Sequence, residues 1–430
     1  MPRAFFLFML AAALPAQDSK AASKDAKERV RWCRDAHKQG GAAIPGLKTY
    51  LQSDPSDEVR REAVKALNVI GGAGVLDALV MATNDRDSEV QARATDGIVN
   101  VYIPGYVKNG FTSTLKRAGG GIKGKFAGPN DVIVDPFVPV SPDAIAALGR
   151  LVRQGTWPEV KANAARAVGI LRGKAAVPQL VEGLKGRDTQ LLFECLGALE
   201  KIRDREVAPE ISPLVNDLNE QVQLRAIELA GLLQNKVSLT PLTRAFEGAK
   251  SVKVRAAALT AIAMIPDPVN RPIFDRYLGD REDDLRAGAA EGYGRLRDAN
   301  DAPRLEKVFA EETHMKPRLG LAFALVNLGR TAMSELSPLQ YLVNTLNSSA
   351  YSGLAAPFLV ELARDKAVRE ALYPGMEART VREKVELADV FARSGDEASK
   401  PVLEALARDR DPKVAEAGQR AVKTLDVRTR

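Results

Sequence analysis

The sequence predicts an all-α protein, an α-solenoid in which a superhelical array of about eleven helix pairs is interrupted by one loop insertion. Three observations predict it. A pattern of apolar and small residues returns roughly every 31 positions. Within each copy the apolar positions follow the period of an α-helix. The composition, 45% hydrophobic but only 5% aromatic, suits a core of Ala, Val and Leu in which helices approach closely.

The recurrence comes first, because self-similarity at a fixed period marks an array rather than compact domains. The stretch DEVRREAVKALNVIG at 57–71 returns as SEVQARATDGIVNV from Ser88, PEVKANAARAVGIL from Pro158 and QVQLRAIELAGLL from Gln221. It returns again as VKVRAAALTAIAMI from Val252, DLRAGAAEGYGRL from Asp284, KPRLGLAFALVNLG from Lys316, TVREKVELADVFA from Thr380 and PKVAEAGQRAVKTL from Pro412. TQLLFECLGALEKI from Thr189 and the stretch around Tyr351 are weaker members. Alignment on the leading apolar residue gives Val59, Val90, Val160, Leu191, Val222, Val254, Leu285, Pro317, Tyr351, Val381 and Val414. The step of 70 residues from Val90 to Val160 hides an insertion of roughly forty residues.

The stripe is the second element of the case. Apolar residues stand at 0, +4, +7 or +8, and +11, as in Val160, Ala164, Val168 and Leu171. The +4 position is usually small: Ala63, Ala94, Ala164, Cys195, Ala226, Ala258, Ala289 and Gly418. Leu321 and Val385 are exceptions, expected to mark wider helix spacing. A shorter apolar segment with an early proline precedes most copies, as at Pro178, Pro241, Pro303 and Pro401; a first-turn proline costs no hydrogen bond. Asp87, Asp188, Ser251 and Asp411 are placed to cap the second helix, and Gly71, Gly173, Asp204 and Asp298 to end it.

Two-helix units of this length, with a proline early in the first helix and D-x-x-[VL]-[RK]-x-x-A opening the second, resemble HEAT repeats. The short HEAT-like repeat of the phycobilisome-lyase type is the nearest flavour, and the resemblance spans about residues 41–430. It implies an armadillo-like stack sharing one continuous core, because a single repeat cannot bury its own apolar face. It further implies a right-handed superhelical arc with second helices lining the concave side. Function is left wide, since the family includes scaffolds, transport receptors, lyases and nucleic-acid enzymes.

Ahead of the array, residues 1–16 read MPRAFFLFMLAAALPA. Arg3, the apolar run Ala4–Leu14 and the small residue Ala16 form the pattern of a cleaved secretory signal peptide, too short for a transmembrane helix. Cleavage near Ala16, with Ala21 as a second site, predicts a secreted or periplasmic protein. Residues 17–40 read as a linker and first helix, residues 41–430 as the repeat array, and residues 103–141 as its insertion. The net charge of +7 falls to +6 without Arg3, a mild basic bias that points away from nucleic acid. Cys33 and Cys195 are the only cysteines, which excludes a disulfide framework and leaves their redox state open.

The insertion is the candidate partner-binding segment. It sets Tyr106, Lys108, Phe111, Lys116, Arg117, Lys123 and Lys125 among glycines, and basic residues interleaved with aromatics can grip an anionic or extended partner. The competing reading is a strap that packs across neighbouring repeats. Gly119–Lys125 fits the first part of a phosphate-binding loop, but Phe126 stands where Ser or Thr must hold magnesium. Arg60, Lys161, Arg255, Arg286, Arg318 and Arg382 follow the leading apolar residue and read as hydrogen-bonded ladders between repeats, with a ligand-facing basic stripe as the alternative.

Only His37 and His314 are present, so neither a metal site of ordinary composition nor a Ser-His-Asp arrangement finds its residues, and no cofactor is expected. Cys195 reads as core filler. The expectation is therefore a non-catalytic scaffold for a protein or peptide partner. Two alternatives stand beside it: a lyase or chaperone-like enzyme, by the resemblance, and a polyanion-binding module using the insertion.

Overall fold

The computed structural model describes residues 23–106 and 132–430, and among them every regular element is a helix. The chain divides into two units, the first made of residues 1–126 and 142–167, the second of residues 127–141 and 168–430. In the first lie α1 (Ala26–Ala36), α2 (Ile44–Ser53), α3 (Asp57–Ile70), α4 (Leu76–Ala82), α5 (Ser88–Tyr102), α6 (Pro142–Gln154) and most of α7 (Pro158–Ile170). The second continues with α8 (Val177–Gly183), α9 (Thr189–Ile202), α10 (Ala208–Ile211), α11 (Glu220–Leu233), α12 (Leu239–Gly248), α13 (Val252–Met264), α14 (Arg271–Tyr277) and α15 (Asp283–Leu296). It ends with α16 (Ala302–Glu311), α17 (Met315–Asn327), α18 (Pro338–Thr345), α19 (Ser352–Leu362), α20 (Lys366–Leu372), α21 (Val381–Ser394), α22 (Lys400–Leu406) and α23 (Pro412–Thr429). This is the all-α solenoid of stacked pairs that the periodicity predicts. Short first helices, several entered through a single 3₁₀ turn, alternate with long second helices.

The small residues of the stripe sit at the packing points. Ala63, Ala94, Ala164, Cys195, Ala226, Ala258 and Ala289 are fully buried, and Gly418 is buried in α23. A second class of close approach, invisible to the stripe, uses glycine near the end of one second helix against alanine of the next. A Cβ on Gly169 would lie 2.6 Å from the Ala198 Cα, on Gly231 2.8 Å from the Ala261 Cα, and on Gly294 2.7 Å from the Ala324 Cα. Backbones touch there, and no side chain larger than hydrogen fits without a shift. Leu321 therefore does not hold its helix away: Gly294 and Gly320 bring α17 against α15 although Leu321 is buried between them.

Three local readings change. In α21 the register is two residues later than the apolar pattern suggests: Val381 is exposed, Thr380 and Glu383 form a reciprocal capping box, and Leu387 occupies the fully buried position assigned to Val385. Thr380 as the cap forces this, because the buried face begins three residues after it. Asp87, Asp188 and Asp411 cap their helices through their carboxylates, whereas Ser251 holds the cap position without a side-chain bond. Finally, α7, α9 and α15 do not end on Gly173, Asp204 and Asp298. The left-handed turn is made one residue earlier by Arg172, Arg203 and Arg297, at φ of 51°, 57° and 54°. Asp204 and Asp298 instead cap the 3₁₀ turns that follow.

Candidate interaction surface

The most regular polar feature is a ladder between repeats. It begins in α1, where Arg29 donates to the Ser23 and Lys24 carbonyls at 3.0 Å and to Asp54 at 2.6 Å. In α3, Arg60 donates to the Asp54 carbonyl at 2.9 Å and pairs with Asp85 at 2.7 Å, both side chains only 5% exposed. In α15, Arg286 repeats the arrangement with the Asp280 carbonyl and Glu312, both at 2.8 Å. Each arginine stands four residues after an N-cap, so its fork reaches the carbonyls just before that cap and one carboxylate of the next repeat. That carboxylate also accepts the amide of the next N-cap: Ser56 N–H to Asp54 at 2.9 Å, Asp87 N–H to Asp85 at 2.8 Å, His314 N–H to Glu312 at 2.9 Å.

Of the six basic residues expected in the ladder, Arg60 and Arg286 are full members, and Arg255 keeps the carbonyl bond to Ala249 at 2.9 Å. Among the described residues Lys161 makes no ladder bond, and Arg382 is not a member. The register shift in α21 gives the position to Lys384, which pairs with Asp409 at 2.8 Å, while Arg382 bonds the Asn347 carbonyl and Ser352. Arg318 lies between two rings instead, 5.0 Å from the centroids of both Phe309 and Tyr341. Arg29 escaped the sequence reading because its helix lacks the leading valine; its spacing of 31 residues from Arg60 was the available signal.

Deeper polar groups knit the second helices of the second unit. Arg295 bonds Glu291 and Glu361, both at 2.9 Å, and lies 4.7 Å over the Phe323 ring, which stacks on Phe358 at 4.6 Å. Burial pushes the Glu291 carboxyl up, and Arg295 opposes it. Cys33 and Cys195 are free and fully buried, and burial pushes the Cys33 thiol up to about 12 and the Cys195 thiol well above its usual range. A thiol so held is protonated at neutral pH and out of reach as a nucleophile. His37 donates from Nδ1 to the Arg34 carbonyl and His314 meets Asp283, both at 2.8 Å, so each is engaged within the array. Among the described residues no three His, Cys, Asp or Glu side chains gather as a metal site. No described helix is long and apolar enough to cross a membrane.

Of the candidate partner-binding residues, the structure describes Tyr106 alone, half-buried in a turn after α5, where its amide donates to the Ile103 carbonyl at 3.2 Å. Lys108, Phe111, Lys116, Arg117, Lys123 and Lys125 lie outside the described residues. The far end of the insertion is described, and it is a strap. The Val134 amide donates to the Ile170 carbonyl at 2.8 Å, Arg420 of α23 pairs with Asp135 at 2.5 Å, and Lys423 lies 5.6 Å from the Phe137 ring. Residues 134–137 thus tie the end of α7 to the last helix, a contact that no local sequence signal marks.

Stacked helix pairs with a conserved-geometry ladder define a class, the α-solenoids of HEAT-like repeats. Residues 19–98 match the family model of HEAT repeats and residues 160–186 that of the PBS lyase HEAT-like repeat. These two matches support a HEAT-repeat family. Its fold is similar to that of an engineered protein, at 18% identity over 95% of this chain and 97% of that one, with a TM-score of 0.39. It is similar also to the complex of CpcE and CpcF of phycocyanin lyase from Nostoc sp. PCC7120, at 16% identity over 62% of this chain and 92% of that one, TM-score 0.36. A third likeness is importin beta, at 12% identity over 95% of this chain and 64% of that one, TM-score 0.45. No curated protein matches the sequence.

Proposed function

We propose that the chain is a non-catalytic scaffold for a protein or peptide partner, exported to the periplasm or exterior after removal of residues 1–16. The observation that carries the scaffold reading is the stacking itself. Repeat after repeat adds helical surface, and the ladder charges are spent on neighbouring repeats, which leaves the outward helix faces to a partner. Export is supported by Arg3, the apolar run to Leu14 and the small Ala16. The basic and aromatic residues from Tyr106 to Lys125 are the proposed contacts, since interface energy concentrates in such anchors.

The test is crosslinking in the native envelope fraction, with the chain carrying a deletion of residues 107–131 that spares the Val134–Phe137 strap. The expected result is one dominant partner captured by the intact chain and lost with the deletion, while helical circular dichroism is unchanged. Capture that survives moves the contact to the second helices. Mass spectrometry of the mature protein tests export, and an intact residue 1–16 segment refutes it.

A further inference from the structure

The left-handed arginines lead to a second surface. Arg172 and Arg203 adopt a backbone conformation that glycine or asparagine takes with least strain, and the chain does use glycine at positive φ elsewhere, as at Gly71 and Gly329. Both side chains are exposed, and among the described residues no carboxylate bonds either of them. The strap places the end of α7, where Arg172 sits, against α23 through Val134, Asp135 and Arg420. The other end of α23 is pinned in turn: Arg428 donates to the Ala392 carbonyl at 3.2 Å and to the Gly395 carbonyl, on either side of Arg393. Gly169 packs on Ala198, which sets the turn after α9 beside the one after α7, and Ser394 donates to the Val360 carbonyl, which sets the end of α21 beside α19; α23 joins the two pairs. Arg172, Arg203, Arg364 and Arg393 gather there.

Arg203 feels the charges of the other three. Enclosure by protein on the sides away from water lowers the Arg172 and Arg203 pKa, and the Arg393 charge lowers both further; Arg203 also feels Arg172 and Arg364. Two carboxylates temper the group: Asp135 acts on Arg172 and Glu200 on Arg203. Arg393 has an exposed partner, Asp389, at 3.2 Å. A cation at a helix C-terminus is individually favourable. Four brought together repel, and an anion relieves that repulsion.

We propose that Arg172, Arg203, Arg364 and Arg393 form one anion-binding cluster that seats a carboxylate-rich segment of the protein partner. The proposal rests on the scaffold reading and names the chemistry of its partner. The guanidinium fork matches a carboxylate in two parallel hydrogen bonds. Asp135, Glu200 and Asp389 interrupt the positive field, which suits carboxylates spaced along a peptide better than an unbroken line of phosphates.

The test uses the full chain and a short fluorescent oligoglutamate peptide, with oligoglutamine and oligothymidine as controls, read by anisotropy at low and physiological salt. The comparison variant is R172N/R203N, whose new side chains tolerate the left-handed turn. Binding of oligoglutamate that weakens about tenfold or more in the variant, with salt sensitivity, is the expected outcome. The variant's melting temperature should stay level or rise, which separates lost binding from lost fold. Oligoglutamate that fails to bind, binds both proteins equally, or is outcompeted by oligothymidine overturns the cluster. Partner crosslinks mapped elsewhere on the second helices would in that case leave the scaffold reading standing.

Discussion

Arg60 shows what a single ladder side chain does. Its fork serves a helix-end carbonyl and a carboxylate at once, inside a site that excludes water. Replacing it by methionine keeps the volume of the stem but leaves Asp85 as a buried charge with one partner fewer. Breaking such a pair from one side costs about 3 kcal/mol. R60M should therefore lower the urea midpoint clearly, while R382M, at a position outside the ladder, changes stability by no more than about 0.5 kcal/mol. Equal effects at the two sites would show that the ladder is decoration.

At the scale of the helix, the contacts are set by residues too small to notice. Ala258 and Ala289 are fully buried, and A258L or A289L should destabilise by about 1–3 kcal/mol through overpacking, read from thermal melts. G294V belongs to the same class, because its new side chain meets the Ala324 backbone. The alanine stripe was legible in the sequence because it repeats at one offset. The glycine contacts were not: a glycine inside a helix looks like a weak helix former until its neighbour is known. The same limit hid the left-handed arginines, since sequence logic assigns such turns to the adjacent glycine or aspartate. In α21 the hydrophobicity of Val381 outweighed the capping box, and the register slipped. For the interaction surface, the insertion was legible as a composition change. The arginine cluster was not, because its members run from Arg172 to Arg393 in the chain.

For the molecule as a whole, acid is the natural probe. Arg61 holds the Asp87 carboxyl below the usual range, and the Tyr293 hydroxyl with Arg304 does the same for Asp275. Burial pushes the Glu312 carboxyl up, but Arg286 and the His314 amide more than offset it. A carboxylate with a lowered folded pKa contributes stability that is complete above its unfolded value, near 4, and is lost as pH falls through the folded one. Glu228, raised by burial, works in the opposite direction. The melting temperature should thus fall steeply between about pH 5 and pH 2. R61M should flatten that fall in part, because the Asp87 carboxyl then keeps only the Glu89 and Val90 amides to hold it down. A slope identical in the wild type and R61M would remove Asp87 from the account.

The carboxylate shared between one repeat's arginine and the next repeat's N-cap makes the chain its own ruler. Where a helix begins is measured from the helix before it, so the array can change length only by whole units. Excision of residues 224–255, which joins Gln223 to Ala256 at matching positions of α11 and α13, should give a shorter protein that still melts cooperatively. Excision of half that stretch should not, since it throws the apolar stripe out of register with the neighbouring repeats. Growth by duplication and loss by clean deletion are the changes such a molecule can absorb, and a segment of any other length has to be carried outside the helix pairs, as residues 132–141 are.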